Sequence, residues 1–284
     1  MVQQPALPTL ILQPLVEQTL REDLGRAGDL TSAAIIPANT TTELFMVARQ
    51  AGVVAGLELA RLAFQTLDPN ARFEVLQPDG SAVQAGTRLA RIHGLAQALL
   101  SAERTALNFV CHLSGIATAT ADLVARVQPH ACRITCTRKT TPLLRAIEKY
   151  AVRLGGGMNH RFGLDDAVLI KDNHIAIAGS LSAAVERARA GVGQLVKIQV
   201  EVDTLAQLDE ALALGVDLVL LDNMDPATLR EAVQRCQGKA QTEASGGITP
   251  DTITAVAATG VDTIAVGWIT HSAPILDVGL DVVP

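Results

Sequence analysis

Residues 137–175 hold the side chains of this sequence that are best suited to chemistry. Between positions 138 and 174, seven Lys and Arg residues stand against four Asp and Glu residues, a local charge of +3. The whole chain has a net charge of −6, so the other residues sum to −9. Because guanidinium and ammonium groups bind carboxylates and phosphates, this basic cluster with its two histidines indicates a site for a small, strongly anionic ligand.

Short β-branched segments alternate with helical segments after position 129, and this pattern predicts how the cluster is positioned. Six strands, each followed by a helix, imply a parallel sheet and favour an α/β barrel, with an open doubly wound sheet as the alternative. No GxGxxG follows any of these strands, which weakens a dinucleotide-binding interpretation. The predicted strands are Arg133–Cys136, Ala167–Ile170, Lys197–Val202, Leu218–Leu221, Ala240–Ala244 and Thr263–Val266.

Charged residues stand at the carboxyl ends of successive predicted strands, where the active sites of α/β barrels are built. Glu201 and Asp222 form an acidic half that suits Mg²⁺ or ribose hydroxyls. The glycine-rich turns at 245–247 and around Gly267 can bring backbone N–H groups close to phosphate. Together these features suit a phosphorylated sugar and a second, carboxylated substrate. The predicted strand-end residues are Arg138, Lys139, Lys171, Glu201, Asp222, Glu243, Ser245, Gly246 and Gly247, joined by His160 and Arg161.

Several charged residues have a simpler interpretation. Thr141 and Pro142 predict the start of a helix, on which Arg145, Lys149 and Arg153 recur every fourth residue, as in a solvent-exposed stripe. Glu103 and Arg104 lie on a long predicted helix, 95–127, where a surface ion pair is the plain expectation. His174 could equally cap a strand end or serve the site.

Composition narrows the classes of function. Aromatic residues make up only 2% of the chain, which argues against a platform for single-stranded nucleic acid. The longest apolar runs are shorter than a membrane span needs, and the first eighteen residues lack the basic start of a signal peptide. The four cysteines show no zinc-like pairing. We therefore expect a cytoplasmic protein that binds neither nucleic acid nor membrane.

Motifs along nearly the whole chain resemble those of quinolinate phosphoribosyltransferase, the carboxylating nicotinate-nucleotide pyrophosphorylase family of NAD biosynthesis. The agreement begins at EDLGRAGDLTS, residues 22–32, and the central motif is long and specific. The other matching segments, in order, are ERTALNFVCHLSGIAT, TRKTTPLLRAIEKYAV, GGGMNHRFGLDDAVLIKDNHI, EVDTLAQLDEAL, LLDNM, EASGGI and GVDTIAVGWITHS.

The resemblance implies an architecture and a reaction. Residues 1–112 would form an α/β sandwich domain on which the tail 270–284 packs, and residues 113–269 an incomplete α/β barrel. Quinolinate and phosphoribosyl pyrophosphate, with Mg²⁺, would give nicotinate mononucleotide, pyrophosphate and CO₂. The protein would be a homodimer, or a higher oligomer, with active sites shared between subunits.

The resemblance also implies a role for each site residue. Arg138, His160 and Arg161 would hold the quinolinate carboxylates, and Arg104 would reach the site of the partner subunit. Lys139 and Lys171 would lie between the substrates as catalytic groups. Glu201 and Asp222, also catalytic, would face the ribose and its metal. The remaining predicted substrate contacts are Thr137, Ser245, Gly246, Gly247, Val266, Gly267 and Trp268.

Three residues depart from the family pattern, and two other functions stay open. Cys136 replaces a common Asp, Leu143 a frequent Gly and Trp268 a small residue. One alternative is a related phosphoribosyltransferase-like protein of molybdenum-transport operons, against which the dicarboxylate-binding set Arg104, Arg138, His160 and Arg161 argues. The other is a barrel aldolase in which Lys171 forms a Schiff base, as a strand-end lysine allows.

Overall fold

The computed structural model describes residues 6–282, and within them the chain forms two compact units. The first unit contains residues 6–121, 146–156 and 272–282, and the second contains residues 122–145 and 157–271. The predicted domain boundary between residues 112 and 113 falls inside one continuous helix, 96–126. The predicted domain ends at residues 1–5 and 283–284 lie outside the described residues.

The two units together contain eleven helices and twelve strands in the described part of the chain. The helices are α1 Thr9–Leu24, α2 Leu30–Ile35, α3 Leu57–Leu67, α4 Ala96–Arg126, α5 Arg145–Leu154, α6 Asp172–Ala178, α7 Leu181–Gly191, α8 Leu205–Ala213, α9 Pro226–Cys236, α10 Ile253–Ala257 and α11 Trp268–His271. The strands are β1 Thr41–Ala48, β2 Gly52–Val53, β3 Arg72–Val75, β4 Ala82–Val83, β5 Arg88–Leu95, β6 Arg133–Thr135, β7 Val168–Ile170, β8 Ile198–Val202, β9 Leu218–Asp222, β10 Gln241–Ser245, β11 Thr263–Ala265 and β12 Val278–Val282.

An antiparallel four-stranded sheet of order β12-β1-β5-β3 organises the first unit. The tail supplies its edge strand, since Leu44 to Ala48 of β1 pair with Val282 to Val278 of β12. Helix α1 buries Leu12, Val16 and Leu20, which lie four residues apart and therefore on one face. Helix α1 therefore packs against the rest of the first unit through one apolar face.

Helix α4 is the one described helix that is long and apolar enough to cross a membrane by length and composition. The sequence expectation concerned uninterrupted apolar runs, and α4 is interrupted by charged residues such as Glu103 and Arg104. The most apolar 18-residue window has a mean hydropathy of 1.2, and 61% of it is buried inside the protein. Buried positions such as Leu99, Val110 and Leu113 give α4 the character of a core helix.

Six parallel strands form the second unit, in the order β6-β11-β10-β9-β8-β7. Each strand from β7 to β10 pairs with the next along the chain, and the first strand, β6, pairs with the last, β11. A doubly wound sheet reverses its strand order at a switch point instead. The predicted α/β class with an incomplete barrel is therefore confirmed, and the ring is open between β6 and β7.

Local chemistry explains where several helices of the second unit begin. Ser180, Thr204 and Asp225 each accept a hydrogen bond from a backbone N–H of the first helical turn. The predicted helix start at Thr141-Pro142 is wrong, because α5 begins at Arg145. Leu143 takes a left-handed conformation (φ 68°), which a continuing right-handed helix cannot include.

The solvent-exposed stripe predicted on α5 is also wrong. Lys149 is only 2% exposed and Glu148 is fully buried. Glu148 lies 2.9 Å from the imidazole Nε2 of His112 on α4, and the two residues belong to the first unit. Charge spacing alone could not reveal this, because it shows which residues share a face and not what covers that face.

Candidate active site

A cavity of about 480 Å³ opens in the second unit, and its lining contains every predicted site residue except Arg104 and Glu243. These residues are Thr137, Arg138, Lys139, His160, Arg161, Lys171, Glu201, Asp222, Ser245, Gly246, Gly247, Val266, Gly267 and Trp268. The lining also includes five residues not predicted from the sequence: Leu169, Leu220, Ile248, Ala265 and His271. Parallel strands bring their carboxyl ends to one edge, so residues far apart in sequence meet there.

Each functional segment leaves its strand at this edge. Residues 137–139 follow β6, Lys171 follows β7, and residues 266–268 follow β11. Asp222 and Ser245 are the last residues of β9 and β10. His160 and Arg161 come from the segment that adjoins the gap in the ring, where Met158 forms a parallel bridge with Thr135 of β6.

Three cations of the cavity form no direct ion pair within the described chain, although Asp166 lies close enough to Arg161 to interact with its charge. Arg138, Lys139 and Arg161 form no ion pair with any carboxylate in residues 6–282. The buried Nε atoms of Arg138 and Arg161 also lack a hydrogen-bond acceptor. Burial and the charge of Arg138 hold the pKa of Arg161 below its usual value. Uncompensated guanidinium groups at close quarters are stabilised by an anion, and a dicarboxylate suits two of them.

Arg145 supports this cationic half from outside the cavity. Its guanidinium donates to the carbonyl oxygens of Arg138 (3.4 Å) and Phe162 (3.1 Å) and to the Thr140 hydroxyl (3.0 Å). These bonds tie the chain at 138–140 to the chain beside Arg161. The prediction that Arg145 faces solvent is therefore wrong, and its fixed fork of donors explains why an arginine suits the position.

The acidic half of the cavity is tied to the cationic half by one ion pair. Lys171 Nζ lies 2.5 Å from Glu201 Oε2. Asp222 accepts hydrogen bonds from the Ser245 hydroxyl and from Asn223 Nδ2, the latter at 2.6 Å. An ammonium paired with a carboxylate is a poor amine nucleophile, which argues against the Schiff-base alternative for Lys171.

No group of three or more His, Cys, Asp or Glu residues in the described chain is arranged to hold a metal ion. A protein cage for a metal is therefore not formed by these residues. Mg²⁺, however, is commonly bound by one or two carboxylates together with substrate phosphates and water. Glu201 and Asp222 in one cavity fit that kind of binding.

The glycine-rich turn after β10 requires glycine on steric grounds. Gly246 has a φ of 96°, and a Cβ there would overlap the Asn223 side chain and lie 2.8 Å from its backbone nitrogen. Gly267, across the cavity, leaves room for Lys139, whose Cδ would lie 3.0 Å from a Cβ at that position. Gly246 therefore lets the turn lie close to Asn223, and Gly267 lets the Lys139 side chain lie close to the backbone after β11.

Trp268 lines the cavity and also has a structural role. Its indole Nε1 donates to the Ile248 carbonyl oxygen at 3.2 Å, which fastens the start of α11 to the turn after β10. Thr270, buried on the same helix, donates to the Lys139 carbonyl oxygen at 2.8 Å. Helix α11 thus supports both the turn after β10 and the segment that carries Lys139.

Three further charged or histidine residues that the sequence singles out do not line this cavity. Glu243 lies within β10 and is 7% exposed, and it lines a second cavity of about 290 Å³ and not the first. Arg104 lies exposed on α4 in the first unit, and it forms no ion pair within residues 6–282, so the expected surface pair with Glu103 is absent. His174 accepts a hydrogen bond from the Lys171 backbone N–H at 3.0 Å, which caps α6.

Sequence comparison decides the family. The profile of the quinolinate phosphoribosyl transferase N-terminal domain matches residues 29–114, and that of the C-terminal domain matches residues 116–281. The chain belongs to the quinolinate phosphoribosyltransferase family. The predicted resemblance is therefore confirmed over most of the sequence.

Members of the family with similar sequences and structures come from several bacteria. A probable carboxylating nicotinate-nucleotide pyrophosphorylase of Bacillus subtilis is 44% identical over 96% of this chain and 94% of its own. The corresponding Mycobacterium leprae protein is 46% identical, covering 94% of this chain and 95% of its own. The Francisella tularensis nicotinate-nucleotide pyrophosphorylase structure superposes with a TM-score of 0.94 at 38% identity, covering 98% of both chains.

The three departures from the quinolinate phosphoribosyltransferase pattern each have a structural setting. Cys136 is buried, and its thiol donates to Asn159 Oδ1 at 3.4 Å. Leu143 takes the left-handed conformation that a glycine adopts at lower cost, with its side chain 89% exposed. Trp268 narrows the cavity that it lines while its N–H is satisfied by Ile248.

Proposed function

We propose that this protein transfers the phosphoribosyl group of phosphoribosyl pyrophosphate to quinolinate with loss of CO₂, giving nicotinate mononucleotide and pyrophosphate. The observation that carries the proposal is the set of three cations in one cavity, Arg138, Lys139 and Arg161, that form no direct ion pair within residues 6–282. An acidic pair and two glycine-rich segments line the same cavity. Its polar groups match a dicarboxylate and a phosphorylated ribose, in a chain of the family that performs this transfer.

The two substrates would bind in different parts of the cavity. Arg138 and Arg161, with His160 beside them, would bind the quinolinate carboxylates, since a guanidinium presents two parallel N–H donors to a carboxylate. Ser245, Gly246 and Gly247, facing Val266, Gly267 and Trp268, would hold the 5′-phosphate through backbone N–H groups. Thr137, Lys139 and Lys171 would lie between the substrates, and Glu201 and Asp222 would face the ribose hydroxyls.

The chemistry follows from the charges. The pyridine nitrogen attacks C1 of the ribose, the C1–O bond to pyrophosphate breaks, and the electron pair of that bond leaves with pyrophosphate. The transition state is oxocarbenium-like, so cations beside the leaving group lower its energy. The cationic pyridinium nitrogen then accepts electron density as the C2 carboxylate leaves as CO₂. We expect Lys139 or Lys171 to protonate the resulting C2 carbanion.

We also propose that the reaction uses Mg²⁺, held by Glu201 and Asp222 together with substrate oxygens. A bound Mg²⁺ would supply charge neutralisation of pyrophosphate. The described carboxylates suit this role only in company with a substrate, because they form no complete metal cage. Omission of Mg²⁺ is expected to abolish turnover, and undiminished turnover with a chelator present would contradict the proposal.

The proposed assembly is a homodimer, or a higher oligomer built from it, whose sites are shared. Arg104 is exposed on α4 without an ion-pair partner in the described chain, as suits a residue that acts in the site of a neighbouring subunit. Variants Arg104→Ala and Lys139→Ala would then each be inactive alone. In a homodimer, mixing them under subunit exchange is expected to restore about a quarter of wild-type activity, whereas no restoration would contradict a shared site.

The deciding experiment uses the purified protein with quinolinate, phosphoribosyl pyrophosphate and Mg²⁺. Release of CO₂ together with nicotinate mononucleotide is expected. A lack of product with quinolinate, with product from another acceptor, would instead favour the molybdenum-operon type of protein. Wild-type rates and normal quinolinate binding in both Lys139→Ala and Lys171→Ala would refute the assignment of the lysines.

We keep the cytoplasm as the proposed location, with neither nucleic acid nor membrane as a partner. All four cysteines are buried and free of disulfides, which is typical of proteins from a reducing compartment. Fractionation of cells that produce the protein tests this, and recovery in a membrane fraction would contradict it.

A further inference from the structure

A chain of buried hydrogen bonds runs from β10 to the segment that carries His160. The Gln199 Nε2 of β8 donates to Glu243 Oε2 at 2.7 Å. The Gln199 Oε1 lies 3.0 Å from His160 Nε2, and His160 Nδ1 accepts the Arg161 backbone N–H at 2.8 Å. Gln199 and Glu243 are each 7% exposed, so water competes little for these bonds.

The direction of this chain fixes which ring nitrogen carries the proton. The carboxylate of Glu243 can only accept, so the Gln199 amide presents NH₂ to it and its oxygen to the imidazole. His160 must then donate from Nε2 and keep Nδ1 unprotonated to accept the Arg161 N–H. A proton on Nδ1 would make two N–H donors face each other at that contact.

The remaining contact of Glu243 with the ring is weaker. His160 Nε2 lies 3.4 Å from Glu243 Oε2, which is farther than the 3.0 Å to Gln199. One N–H cannot serve both oxygens well, so the shorter contact carries the hydrogen bond. Glu243 therefore acts on His160 chiefly through Gln199, which it orients.

We propose that Gln199 and Glu243 are positioning residues for the quinolinate subsite, acting through His160 on Arg161. This inference rests on the proposed function, since it assigns Arg161 to quinolinate. The ring of His160 is held by Gln199 and in turn holds the Arg161 backbone. The Arg161 guanidinium is fixed at its other end by a bond from one terminal nitrogen to the Ala167 carbonyl oxygen at 2.9 Å. Backbone and side chain together determine where this cation points.

The state of Glu243 supports a role beyond packing. Its Oε1 is buried and has no hydrogen-bond partner among residues 6–282. A buried carboxylate oxygen that lacks a donor is costly, and an apolar residue would pack in the strand without that cost. The hydrogen bond that Glu243 makes to Gln199 gives a reason for the carboxylate at this position.

The first test reads the protonation state of His160 and needs no substrate. Two-bond ¹H–¹⁵N correlation spectra of protein labelled in its six histidines, with His160→Gln to assign the signals, show which ring nitrogen bears the proton. At neutral pH we expect the proton on Nε2 in the wild type. In Gln199→Leu/Glu243→Leu only the Arg161 backbone N–H still opposes a proton on Nδ1, so we expect the Nδ1-protonated tautomer to become detectable beside the Nε2 form. Glu243→Gln should keep the wild-type pattern because its amide oxygen still accepts from Gln199.

The second test reads the kinetic consequence. Gln199→Leu/Glu243→Leu, which removes both polar groups together, is expected to raise the KM for quinolinate about tenfold. The KM for phosphoribosyl pyrophosphate should change little, and Glu243→Gln should retain most of the wild-type behaviour. Thr242→Val is the matched control, because Thr242 is buried on the same strand but bonds to Asp262. It is expected to change stability without changing either the His160 tautomer or the KM for quinolinate.

Three outcomes would overturn the inference. These are a His160 proton on Nδ1 in the wild type, an unchanged tautomer and KM in the double variant, and equal losses in Glu243→Gln and Glu243→Leu. The last result would mean that charge matters and the amide chain does not. If the wild-type protein does not convert quinolinate, the proposed function fails, while the tautomer measurement still decides whether Gln199 and Glu243 set the state of His160.

Discussion

At the scale of single residues, the site is defined by which cations have partners. Lys171 is paired with Glu201, whereas Arg138, Lys139 and Arg161 form no direct ion pair in the described chain, as suits residues that bind an anion. A conformational feature lies close by, because Leu143 is held with φ 68° just before α5. These two features have different origins, since the first serves binding and the second is a local cost of the turn that leads into α5.

Replacement of Leu143 by glycine is expected to stabilise the protein by about 1 kcal/mol. A non-glycine residue in the left-handed region costs roughly 1–2 kcal/mol, part of which the greater freedom of glycine in the unfolded chain cancels. The side chain is 89% exposed, so little packing is lost. Urea unfolding measures the change, with Leu143→Ala as the control that keeps the strain. A glycine variant no more stable than the alanine variant would contradict the prediction.

Arg145→Lys is expected to weaken quinolinate binding while leaving the fold intact. Lysine can replace only part of the bonding that Arg145 makes to Thr140, Arg138 and Phe162, because it lacks the planar fork. We expect the KM for quinolinate to rise about tenfold, as for the loss of one charge-assisted hydrogen bond. The matched control is Arg153→Lys on the same helix, which steady-state kinetics should show to be close to wild type.

At the scale of elements, the ends of strands and helices carry the function. The carboxyl ends of the parallel strands bring charged groups together. Helix α11 holds the turn after β10 through the hydrogen bond of Trp268. That turn is built on Gly246, whose φ of 96° and close contact with Asn223 leave no room for a side chain. The conformation of the turn is therefore a steric requirement of the site.

Gly246→Ala is expected to impair the binding of phosphoribosyl pyrophosphate, an effect that backbone strain alone does not explain. Gly238 has a similar positive φ of 69° but no atom within 4 Å of a Cβ, so Gly238→Ala is the matched control. The control should lose about 1 kcal/mol of stability from backbone strain. Gly246→Ala must also displace Asn223, so its KM for phosphoribosyl pyrophosphate should rise while that of the control stays unchanged. Equal kinetics in the two variants would show that the contact with Asn223 is unimportant.

The strands and helix caps of the second unit could be predicted closely, and some site features could not. Alternating β-branched segments and the caps Ser180, Thr204 and Asp225 are local signals, which sequence displays directly. The helix start predicted at Thr141-Pro142 was wrong because Leu143 adopts a positive φ, and a leucine in a sequence gives no sign of such a conformation. Gln199 escaped notice because its importance depends on neighbours from other segments, His160 and Glu243, which only the folded ring brings together.

At the scale of the whole molecule, the first unit combines an early and a late segment of the chain, because β12 pairs with β1. Strand β12 covers the edge of β1, and its Val278 is buried. The chemistry of the site comes from the second unit, but the sheet of the first depends on the last residues of the chain. Stability and catalysis can therefore be separated by mutation.

Deletion of residues 278–284 is expected to destabilise the protein by about 3 kcal/mol, since it removes a paired strand together with the buried side chain of Val278 and the half-buried side chain of Leu280. It also exposes the edge of β1, which favours aggregation. Asp281→Asn is the control, because it removes only the exposed pair with Arg49 and should change the urea midpoint little. A truncated protein with an unchanged midpoint would contradict the prediction.

Pairing of the first barrel strand with the last has a consequence for synthesis of the protein. On the ribosome, β6 emerges more than a hundred residues before β11, its only neighbour in the ring order, and β1 waits still longer for β12. Unpaired strand edges are the surfaces through which nascent chains associate wrongly. The two sheets are thus completed only after β11 and β12 leave the exit tunnel. Until then, one edge of β6 and one edge of β1 are unpaired, and we expect chaperones to bind the newly made chain at these edges.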